Sequence, residues 1–379
     1  MQVEDKKMKW LSHIKLLFYS FFATLNVFFA VMLVGSAYSD FISPEKNIFF
    51  AYLGLCFPIL LLINICFLVY WIVVKRWLMS FILIMTFAVC WKPITVFCPF
   101  HLKTKELPRE HLIKILSYNV MSFAYQNHTK EKSNQIIRYI AESEADIVCL
   151  QEYMVSTRPN LMSSEAVAKA LPMYPYIAEV IFSPANNKNY KYGLALLSKF
   201  PILNSRKISF SSPYNGAAIH EIYANGKTVT VVNNHLESFK LTAEDRSKYS
   251  DMISNVNFES FEELSGTIQQ KLGQAFRIRA KQAETMAAEI RKVNGYYTIV
   301  CGDFNDTPIS YVRRKMLHSL IDAYAESGSG MGVSYNQNYF FFRIDHIFHS
   351  ISMNAYNCRV DAGIKLSDHY PVYCYLKLR

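Results

Sequence analysis

Two long runs without a charged side chain lie within the first hundred residues and constrain the fold more than any other feature. The runs cover residues 16–38 and 48–74 and are 23 and 27 residues long. At a rise of about 1.5 Å per residue, each forms a helix that spans the roughly 30 Å hydrocarbon core of a bilayer. Both are too long for the apolar core of a signal peptide, and neither ends in a small-residue cleavage pattern. The sequence therefore predicts membrane-spanning helices at about 16–38 and 48–74.

A third apolar run, residues 77–91, is 15 residues long and ends before Lys92. It reaches spanning length only if the Lys92 side chain extends to the membrane surface and the helix continues to residue 97. We therefore expect residues 1–100 to form a membrane anchor with three transmembrane helices, at about 16–38, 48–74 and 77–97. Helices buried in the core of a large soluble domain are the alternative, and the lengths of the runs argue against it.

Basic residues predict the orientation of this anchor. Four lysines precede the first run and one lies between the first and second runs; they are Lys6, Lys7, Lys9, Lys15 and Lys46. Because basic flanks are retained in the cytoplasm, the N-terminus is expected there, in a multi-pass protein of the inner or plasma membrane. Three crossings would place the C-terminal domain outside the cytoplasm. Basic residues at 92–109 oppose this orientation, and a re-entrant third segment would leave the domain in the cytoplasm.

Residues 101–379 have the composition of a globular protein. Within this range we expect a charged, proline-containing linker at 101–112, followed by a globular domain at 113–379. From residue 113, short apolar runs bounded by Gly, Pro, Asn or Asp alternate with helical patterns. The predicted strands are 113–120, 146–150, 193–198, 228–233, 297–301, 343–348 and 371–376. The predicted helices are 133–142 and 276–293. A hairpin turn is predicted at 224–227. A polar insertion at 241–265 is interpreted as a solvated loop, with an arm beside the site as the alternative. The pattern indicates an α/β sandwich rather than strict β–α–β alternation.

Composition limits the function less than it limits the fold. The net charge of +10 is divided between the two parts of the chain and does not by itself indicate nucleic-acid binding. The eight cysteines are dispersed, with no Cys-x-x-Cys pair and no Cys/His cluster, which argues against a structural zinc site.

Polar residues recur where the predicted strands end. They are Asn119, Glu152, His235, Asp303, Asn305, Asp345, Asp368 and His369. Each is attached to an apolar strand that must be buried, so their side chains are expected to converge at a sheet edge. Carboxylates crowded into one cleft repel one another and lose solvation, and they therefore take up protons or bind a cation. Oxygen ligands without cysteine favour Mg²⁺ or Mn²⁺ over zinc.

Seven segments carry these residues in a fixed order along the chain. They are Leu-Ser-Tyr-Asn-Val at 116–120, Leu-Gln-Glu at 150–152, Tyr-Gly-Leu-Ala-Leu-Leu-Ser-Lys at 192–199, Asn-His-Leu at 234–236, Gly-Asp-Phe-Asn-Asp at 302–306, Arg-Ile-Asp at 343–345 and Ser-Asp-His-Tyr-Pro-Val at 367–372. In this order they resemble the endonuclease/exonuclease/phosphatase superfamily, which includes DNase I-like nucleases, neutral sphingomyelinases and inositol polyphosphate phosphatases. The resemblance covers 113–379 and implies a DNase I-like, four-layer α/β/β/α sandwich as the catalytic domain, with the site at one end of two packed sheets.

The resemblance also implies a role for each polar residue. Glu152 is the expected principal metal ligand, with Asn119 beside it. Asp303 would position or deprotonate the attacking water, and Asn305 would hold a phosphate oxygen. His235 and His369 would donate hydrogen bonds to the phosphate. Asp345 would orient a histidine, and Asp368 would lie beside the metal or His369. Met121 stands where some nucleases of the group have a second acidic residue, so a single ion is expected.

These expectations favour a membrane-tethered, Mg²⁺-dependent phosphodiesterase or phosphatase in which a metal-activated water attacks phosphorus in line. The substrate is a phosphate ester, which could be a lipid headgroup, a lipid-linked phosphate or a nucleic acid. A membrane-associated substrate is favoured because the tether is short, and no protein partner is evident. Exposed aromatic side chains that could grip such a substrate are expected at Tyr174, Tyr176, Phe182, Tyr190 and 339–342.

Two alternative functions stay open. An extracytoplasmic endonuclease or exonuclease acting on DNA or RNA would need a basic groove, for which the candidates are Lys188, Lys191, Lys240, Arg246 and Lys248. The other alternative is an inactive, membrane-displayed binding module. Such a protein would normally have lost at least one motif residue, and here all of them are present.

Overall fold

The computed structural model describes residues 2–126, 128, 133–157, 162–182, 189–210, 212, 214–240, 258–293, 295–337 and 340–379. Within these residues the chain forms two parts. Apolar helices form the N-terminal part, and an α/β sandwich begins at residue 112.

The helical region consists of α1 (Gln2–Ala37), a 3-10 turn (Ser39–Phe41), α2 (Ile48–Leu55), α3 (Phe57–Val73), α4 (Trp77–Val89) and α5 (Trp91–Phe97). Within α1, the 25 residues His13–Ala37 are long and apolar enough to cross a membrane. The runs at 48–74 and 77–97 form bent pairs, because α2 meets α3 at 56° and α4 meets α5 at 65°. The described residues thus hold one helix that qualifies alone, and up to three spans if each bent pair counts as one.

Proline explains both bends. Pro58 lies in the first turn of α3, and Pro93 lies near the start of α5. A proline ring lacks an N–H and clashes with the carbonyl four residues earlier, which here belongs to Gly54 or Val89. Each of the predicted spans at 48–74 and 77–97 is therefore divided into two helices, and the three-span anchor stays a prediction.

Small apolar cores and a few polar bonds hold the helices together. Leu33 and Trp71 belong to two separate buried clusters of this region. The amide nitrogen of Asn64 donates to the carbonyl of Phe29 at 3.0 Å, and the indole N–H of Trp71 donates to Asn26 Oδ1 at 3.0 Å. Interhelical bonds of this kind are the usual polar contacts between helices in lipid.

Two six-stranded sheets form the centre of the sandwich. The strands are β1 (Leu112–Asn119), β2 (Ile147–Ser156), β3 (Tyr176–Ile181), β4 (Tyr190–Ser198), β5 (Ile202–Ser209), β6 (Gly216–Ala224), β7 (Lys227–His235), β8 (Tyr297–Asp303), β9 (Leu320–Asp322), β10 (Tyr335–Gln337), β11 (Phe340–Phe342), β12 (Asp345–Ser350), β13 (Met353–Val360) and β14 (Val372–Leu378). The first sheet has the order β13-β14-β1-β2-β4-β3 and the second β5-β6-β7-β8-β12-β9, while β10 and β11 form a separate hairpin. The pairs β1–β2 and β7–β8 are parallel.

Helices cover both outer faces. The helices α6 (Gln135–Glu142) and α7 (Ser164–Ala170) pack on the first sheet, whereas α8 (Phe258–Lys292) and α9 (Tyr311–Met316) pack on the second. A short helix, α10 (Ala323–Ser327), follows β9. Alternate residues of β2 show the layering, because Ile147 and Cys149 join the core between the sheets while Val148 and Leu150 join the core under α6 and α7. The predicted four-layer α/β/β/α sandwich is therefore confirmed.

The helical region lies directly against the sandwich. Arg314 of α9 forms an ion pair with Asp40 in the turn after α1, with Nε and Oδ2 3.0 Å apart. The hydroxyl of Tyr52 in α2 donates to the carbonyl of Gln269 in α8 at 2.5 Å. These contacts, and not the linker alone, set the position of the helices relative to the sandwich.

All seven predicted strands are present, and most extend beyond the predicted ends. The predicted hairpin turn is confirmed, because Asn225 and Gly226 have φ angles of 53° and 78°, both positive as a type I′ turn requires. The helix predicted at 276–293 is the C-terminal half of α8. Residues 258–265 of the predicted insertion are therefore helical, and residues 241–257 lie outside the described residues.

Candidate active site

The predicted polar residues lie at one end of the two sheets. Asn119 ends β1, and His235 and Asp303 end the parallel strands β7 and β8. Asp345 begins β12 and lies opposite Asp303 in the antiparallel register. Because parallel neighbours end at the same edge, the chain order of these strands brings their last residues together.

A bulge turns Glu152 into this end of the sandwich. The register of β2 against β4 shifts between Leu150 and Tyr153, and Glu152 has a φ of 49°. Asn305, two residues after β8, has a φ of 52°. Left-handed backbone is strained for residues with a side chain and persists where the surrounding structure fixes it, often at functional sites.

Asn119 connects the two sheets at the centre of the site. Its buried amide nitrogen donates to Glu152 Oε1 at 3.2 Å and to Asp303 Oδ2 at 3.1 Å. The backbone N–H of Met121 donates to the amide oxygen at 3.1 Å, which fixes this orientation. The nitrogen thus faces the two carboxylates, and the expected role of Asn119 as a metal ligand requires the amide to rotate by half a turn.

His369 is held between two carboxylates. Its Nδ1 lies 2.8 Å from Asp345 Oδ2, and its Nε2 lies 3.6 Å from Asp303 Oδ2. Burial opposes a charge on this imidazole, but the carboxylates of Asp345 and Asp303 raise the pKa of His369 well above its usual range. His369 is therefore a protonated hydrogen-bond donor at neutral pH.

His235 has the opposite electrostatic environment. Its Nε2 lies 3.8 Å from Glu152 Oε1 and 3.7 Å from Asp303 Oδ2. Burial lowers the pKa of His235, and the neighbouring charge of His369 lowers it further, against the effect of Asp303. The two histidines beside Asp303 therefore differ in charge, with His235 neutral and His369 protonated.

The carboxylates fit a divalent cation. Burial raises the pKa of Asp303 to about 6, with a further contribution from Asp345, although the positive charge of His369 opposes it. A cation placed beside Asp303 and Glu152 would replace the solvation that the buried carboxylate of Asp303 lacks. The available donors are oxygen atoms, which suits Mg²⁺ or Mn²⁺.

A second possible ligand cluster overlaps the first. Asp303, Asp345 and His369 each offer an atom, and these atoms lie within 4.8 Å of one another. The hydrogen bond between Asp345 and His369 Nδ1 already occupies one of these atoms.

The remaining predicted residues are fixed by local bonds. The backbone N–H of Asn305 donates to Asp303 Oδ1 at 2.8 Å, and its amide nitrogen donates to the carbonyl of Leu236 at 3.0 Å. The hydroxyl of Ser367 lies 3.2 Å from Asp368 Oδ1 and 2.8 Å from the carbonyl oxygen of Asn119. Ser367 thus links the loop before β14 to the end of β1.

The structure brings all eight predicted residues together. A cleft of about 130 Å³ is lined by Glu152, His235, Asp303, Asn305, Asp368 and His369. Asn119 and Asp345 lie behind it and are bonded to Glu152 and His369. The role of each residue stays a prediction.

Several cleft residues were not identified from the sequence. Ser238, Phe239, Tyr335 and Ile344 also line it, whereas Phe342, which lines it too, belongs to the aromatic run expected at 339–342. The ring of Tyr335 lies 5.1 Å from that of His369, and it reaches the site on the β10–β11 hairpin. No polar residue follows an apolar strand there, so the pattern used for the other residues gives no signal.

A buried arginine supports the loops that follow β7 and β8. Arg279 of α8 donates to the carbonyl of Glu237 at 2.9 Å, and its Nε lies 3.5 Å from Asp306 Oδ2. Its guanidinium also lies over the rings of Phe239 and Phe276. Asp306 is the last residue of the 302–306 segment, and its ion pair with the buried Arg279 is the physical reason for an acidic residue there.

The basic and aromatic candidates are distributed unevenly. Lys240 lines the cleft and Lys191 is exposed on β4, whereas Lys188, Arg246 and Lys248 lie outside the described residues. Tyr174 and Phe182 were expected to be exposed and are instead buried: Tyr174 packs in the apolar cluster on the outer side of the first sheet, and Phe182 packs with Leu194 and Ala218 from the two sheets. Tyr176, Tyr190 and Phe341 are exposed, and Tyr339 lies outside the described residues.

Two family models match this chain. The model of the endonuclease/exonuclease/phosphatase family matches residues 116–369, which includes every cleft residue named above. A second model, of a domain of unknown function, matches residues 19–97 and so covers most of the helical region. No curated protein matches the chain.

Solved structures resemble the sandwich at low sequence identity. An endonuclease/exonuclease/phosphatase from Bacteroides vulgatus is 17% identical, with a TM-score of 0.49 over 71% of this chain and 99% of that one. The human Nocturnin catalytic domain is 17% identical, with a TM-score of 0.49 over 72% of this chain and 97% of that one. A humanized D. rerio TDP2 is 17% identical, with a TM-score of 0.47 over 71% of this chain and 100% of that one.

Proposed function

This chain belongs to the endonuclease/exonuclease/phosphatase family, and from that premise we propose that it is a membrane-tethered phosphoester hydrolase that uses one Mg²⁺ or Mn²⁺ ion. Members of the family are generally phosphoester hydrolases and are typically dependent on a divalent metal. The observation that carries the proposal is the contact among Asn119, Glu152 and Asp303, in which carboxylates from two sheets share one buried amide.

Glu152, Asp368 and, after rotation of its amide, Asn119 would hold the ion. When bound, the cation neutralises the negative charge that develops on the phosphate oxygens. The bulge at Glu152 and the bond from Ser367 to Asp368 hold these side chains before any substrate arrives. The site is therefore largely preorganised for phosphate.

The other residues position water and substrate. Asp303 would orient the attacking water and accept its proton, as a buried carboxylate held by the amide of Asn119 can. Protonated His369, oriented by Asp345, would donate to the phosphate as negative charge builds. His235 and Asn305 supply further donors, and removing one such donor typically costs about 3 kcal/mol of barrier stabilisation.

The tether is the helical region. Its outward faces carry large apolar side chains, such as Leu17 and Leu62, which are 71% and 61% exposed. Water disfavours such a surface and lipid does not, so we propose that these helices lie in a bilayer. The four lysines in the first turns of α1 favour a cytoplasmic N-terminus, and three spans would then place the sandwich outside the cytoplasm.

The full-length protein in phospholipid nanodiscs tests this function. We expect hydrolysis of bis-p-nitrophenyl phosphate or another phosphoester with Mg²⁺ and none with EDTA. Glu152→Gln should lower kcat/KM at least about a hundredfold, whereas the matched change Glu142→Gln, on the exposed face of α6, should leave it unchanged. Absence of turnover on phosphodiesters, phosphomonoesters and pyrophosphates would leave the inactive binding module as the better account.

A further inference from the structure

An apolar pocket of about 90 Å³ lies where the helical region meets the sandwich. The helical region contributes Leu55, Phe57 and Pro58, from both sides of the bend between α2 and α3, together with Phe97 at the end of α5. The bend between α2 and α3 therefore lies in one wall of this space. We call this space the junction pocket.

The junction pocket adjoins the phosphate cleft. Phe342, the last residue of the β10–β11 hairpin, lines both spaces. The cleft is also lined by Tyr335 and His369, and the junction pocket by Val333 and Ile309. One aromatic side chain is therefore shared by the cleft that holds the carboxylates and histidines and by an apolar pocket.

Both walls of the pocket are held by close contacts. A Cβ atom at Gly54 would lie 2.8 Å from the carbonyl oxygen of Ile309, so only glycine lets α2 approach the sandwich this closely. The buried guanidinium of Arg343 donates to the carbonyl of Val96 at 2.5 Å and to that of Met331 at 3.0 Å. The pocket is thus a built feature of the junction.

We propose that the junction pocket receives the hydrocarbon chain of an amphiphilic phosphoester while the phosphate lies in the cleft, an inference that rests on the proposed function. Its apolar lining can bury methylene groups, and its position against the helical region is where a lipid chain would enter from a bilayer. An engineered cavity of about 150 Å³ accepts benzene, so about 90 Å³ suits a short section of a chain rather than a ring system. The substrate class is therefore a phosphate ester with an unbranched alkyl or acyl chain.

A series of p-nitrophenyl phosphodiesters with methyl, butyl and octyl groups tests this inference. The full-length protein in detergent is compared with Val333→Trp and Leu55→Trp, which fill the pocket, and with Leu62→Trp, which places the same side chain on the exposed face of α3. Two filling variants are used so that misfolding of one, detected by its melting temperature, does not decide the result. The octyl ester partitions into micelles to the same extent whichever protein is present. A difference between proteins in the octyl-to-methyl ratio of kcat/KM therefore reports the contribution of the pocket to binding the octyl chain.

We expect wild type and Leu62→Trp to share one ratio, and both filling variants to have a ratio at least about tenfold lower. Each methylene that enters contributes about a fourfold change, so two or three suffice. Equal ratios in all four proteins, with the methyl ester cleaved by each, would overturn the junction pocket as a chain site and leave the hydrolase intact. No cleavage of any ester with Mg²⁺ would overturn the proposed function and this inference with it.

Discussion

The helical region and the sandwich use apolar side chains in opposite ways. In the sandwich, residues such as Leu196 and Ile147 are fully buried, and the charged residues Asp303 and His369 are buried with partners. In the helical region, Leu17 and many similar residues face outward. One chain therefore contains a sandwich with a buried apolar core and a helical region with an apolar surface, and all eight candidate site residues belong to the sandwich.

The largest expected effect separates catalysis from tethering. Asp303→Asn removes the carboxylate that would position and deprotonate water, so we expect kcat to fall by roughly a thousandfold. Because Asp303 is remote from the outward helix faces, the protein should still sediment with membranes. The control Asp361→Asn changes a carboxylate bonded to Tyr139 outside the cleft and should retain activity. If Asp303→Asn lost both activity and sedimentation with membranes, the separation of catalysis in the sandwich from tethering by the helical region would be contradicted.

The same substitution in the two parts should have different effects on stability. Leu196→Ala leaves a cavity between the sheets and should lower the free energy of unfolding by about 2–5 kcal/mol. Leu62→Ala removes an outward-facing side chain and should change stability by less than about 0.5 kcal/mol in detergent. Denaturant unfolding monitored by circular dichroism measures both. A large loss for Leu62→Ala would mean that another protein surface covers α3.

A buried ion pair should make the sandwich sensitive to acid. Burial alone would raise the pKa of Asp322, but Arg313, 2.7 Å away, and then Arg343 lower it to about 2, below the ordinary 3.8. Because the carboxyl is more acidic when folded, its contribution is complete above pH 3.8 and is lost as pH falls through 2. Between pH 5 and 2, wild type should lose about 2 kcal/mol more stability than Asp322→Asn. Parallel pH–stability curves for the two proteins would contradict this assignment.

The smallest expected effect concerns polar bonds among the helices. Asn64→Ala removes the bonds to the carbonyls of Phe29 and Leu60 and should destabilise the helical region by about 1 kcal/mol. Thermal unfolding in detergent checks this, with catalytic activity on a soluble ester expected to stay at the wild-type level. A loss of several kcal/mol would show that these bonds, and not apolar packing, hold the helices together.

The sequence predicted the site better than it predicted the surrounding elements. Residues such as Asn119 and Asp303 follow buried strands, and parallel pairing brings strand ends together whatever the loops between them do. Glu152 could be predicted from its motif, although the bulge that orients it could not. The lining residue Tyr335 arrives on a hairpin that depends on tertiary contacts, so local patterns gave no indication of it.

The helices show the same limit. The hydropathy of the sequence identified three apolar runs. Because hydropathy is a mean over many residues, it does not register the effect of a single proline on the backbone, and it cannot give the angle at which α2 meets α3 or α4 meets α5. Strand β5 was missed because most of its side chains are exposed and its pattern is not apolar. The docking of Asp40 against Arg314 joins residues far apart in sequence and follows only from the assembled fold.

Binding of Mn²⁺, followed by the loss of the free-ion electron paramagnetic resonance signal, tests the site most directly. The full-length protein in nanodiscs should bind one ion per chain in the sandwich. Glu152→Gln should weaken that binding by at least about tenfold, and Glu142→Gln should leave it unchanged. Equal stoichiometry and affinity in all three proteins, or no binding by wild type, would contradict a single ion held by Glu152.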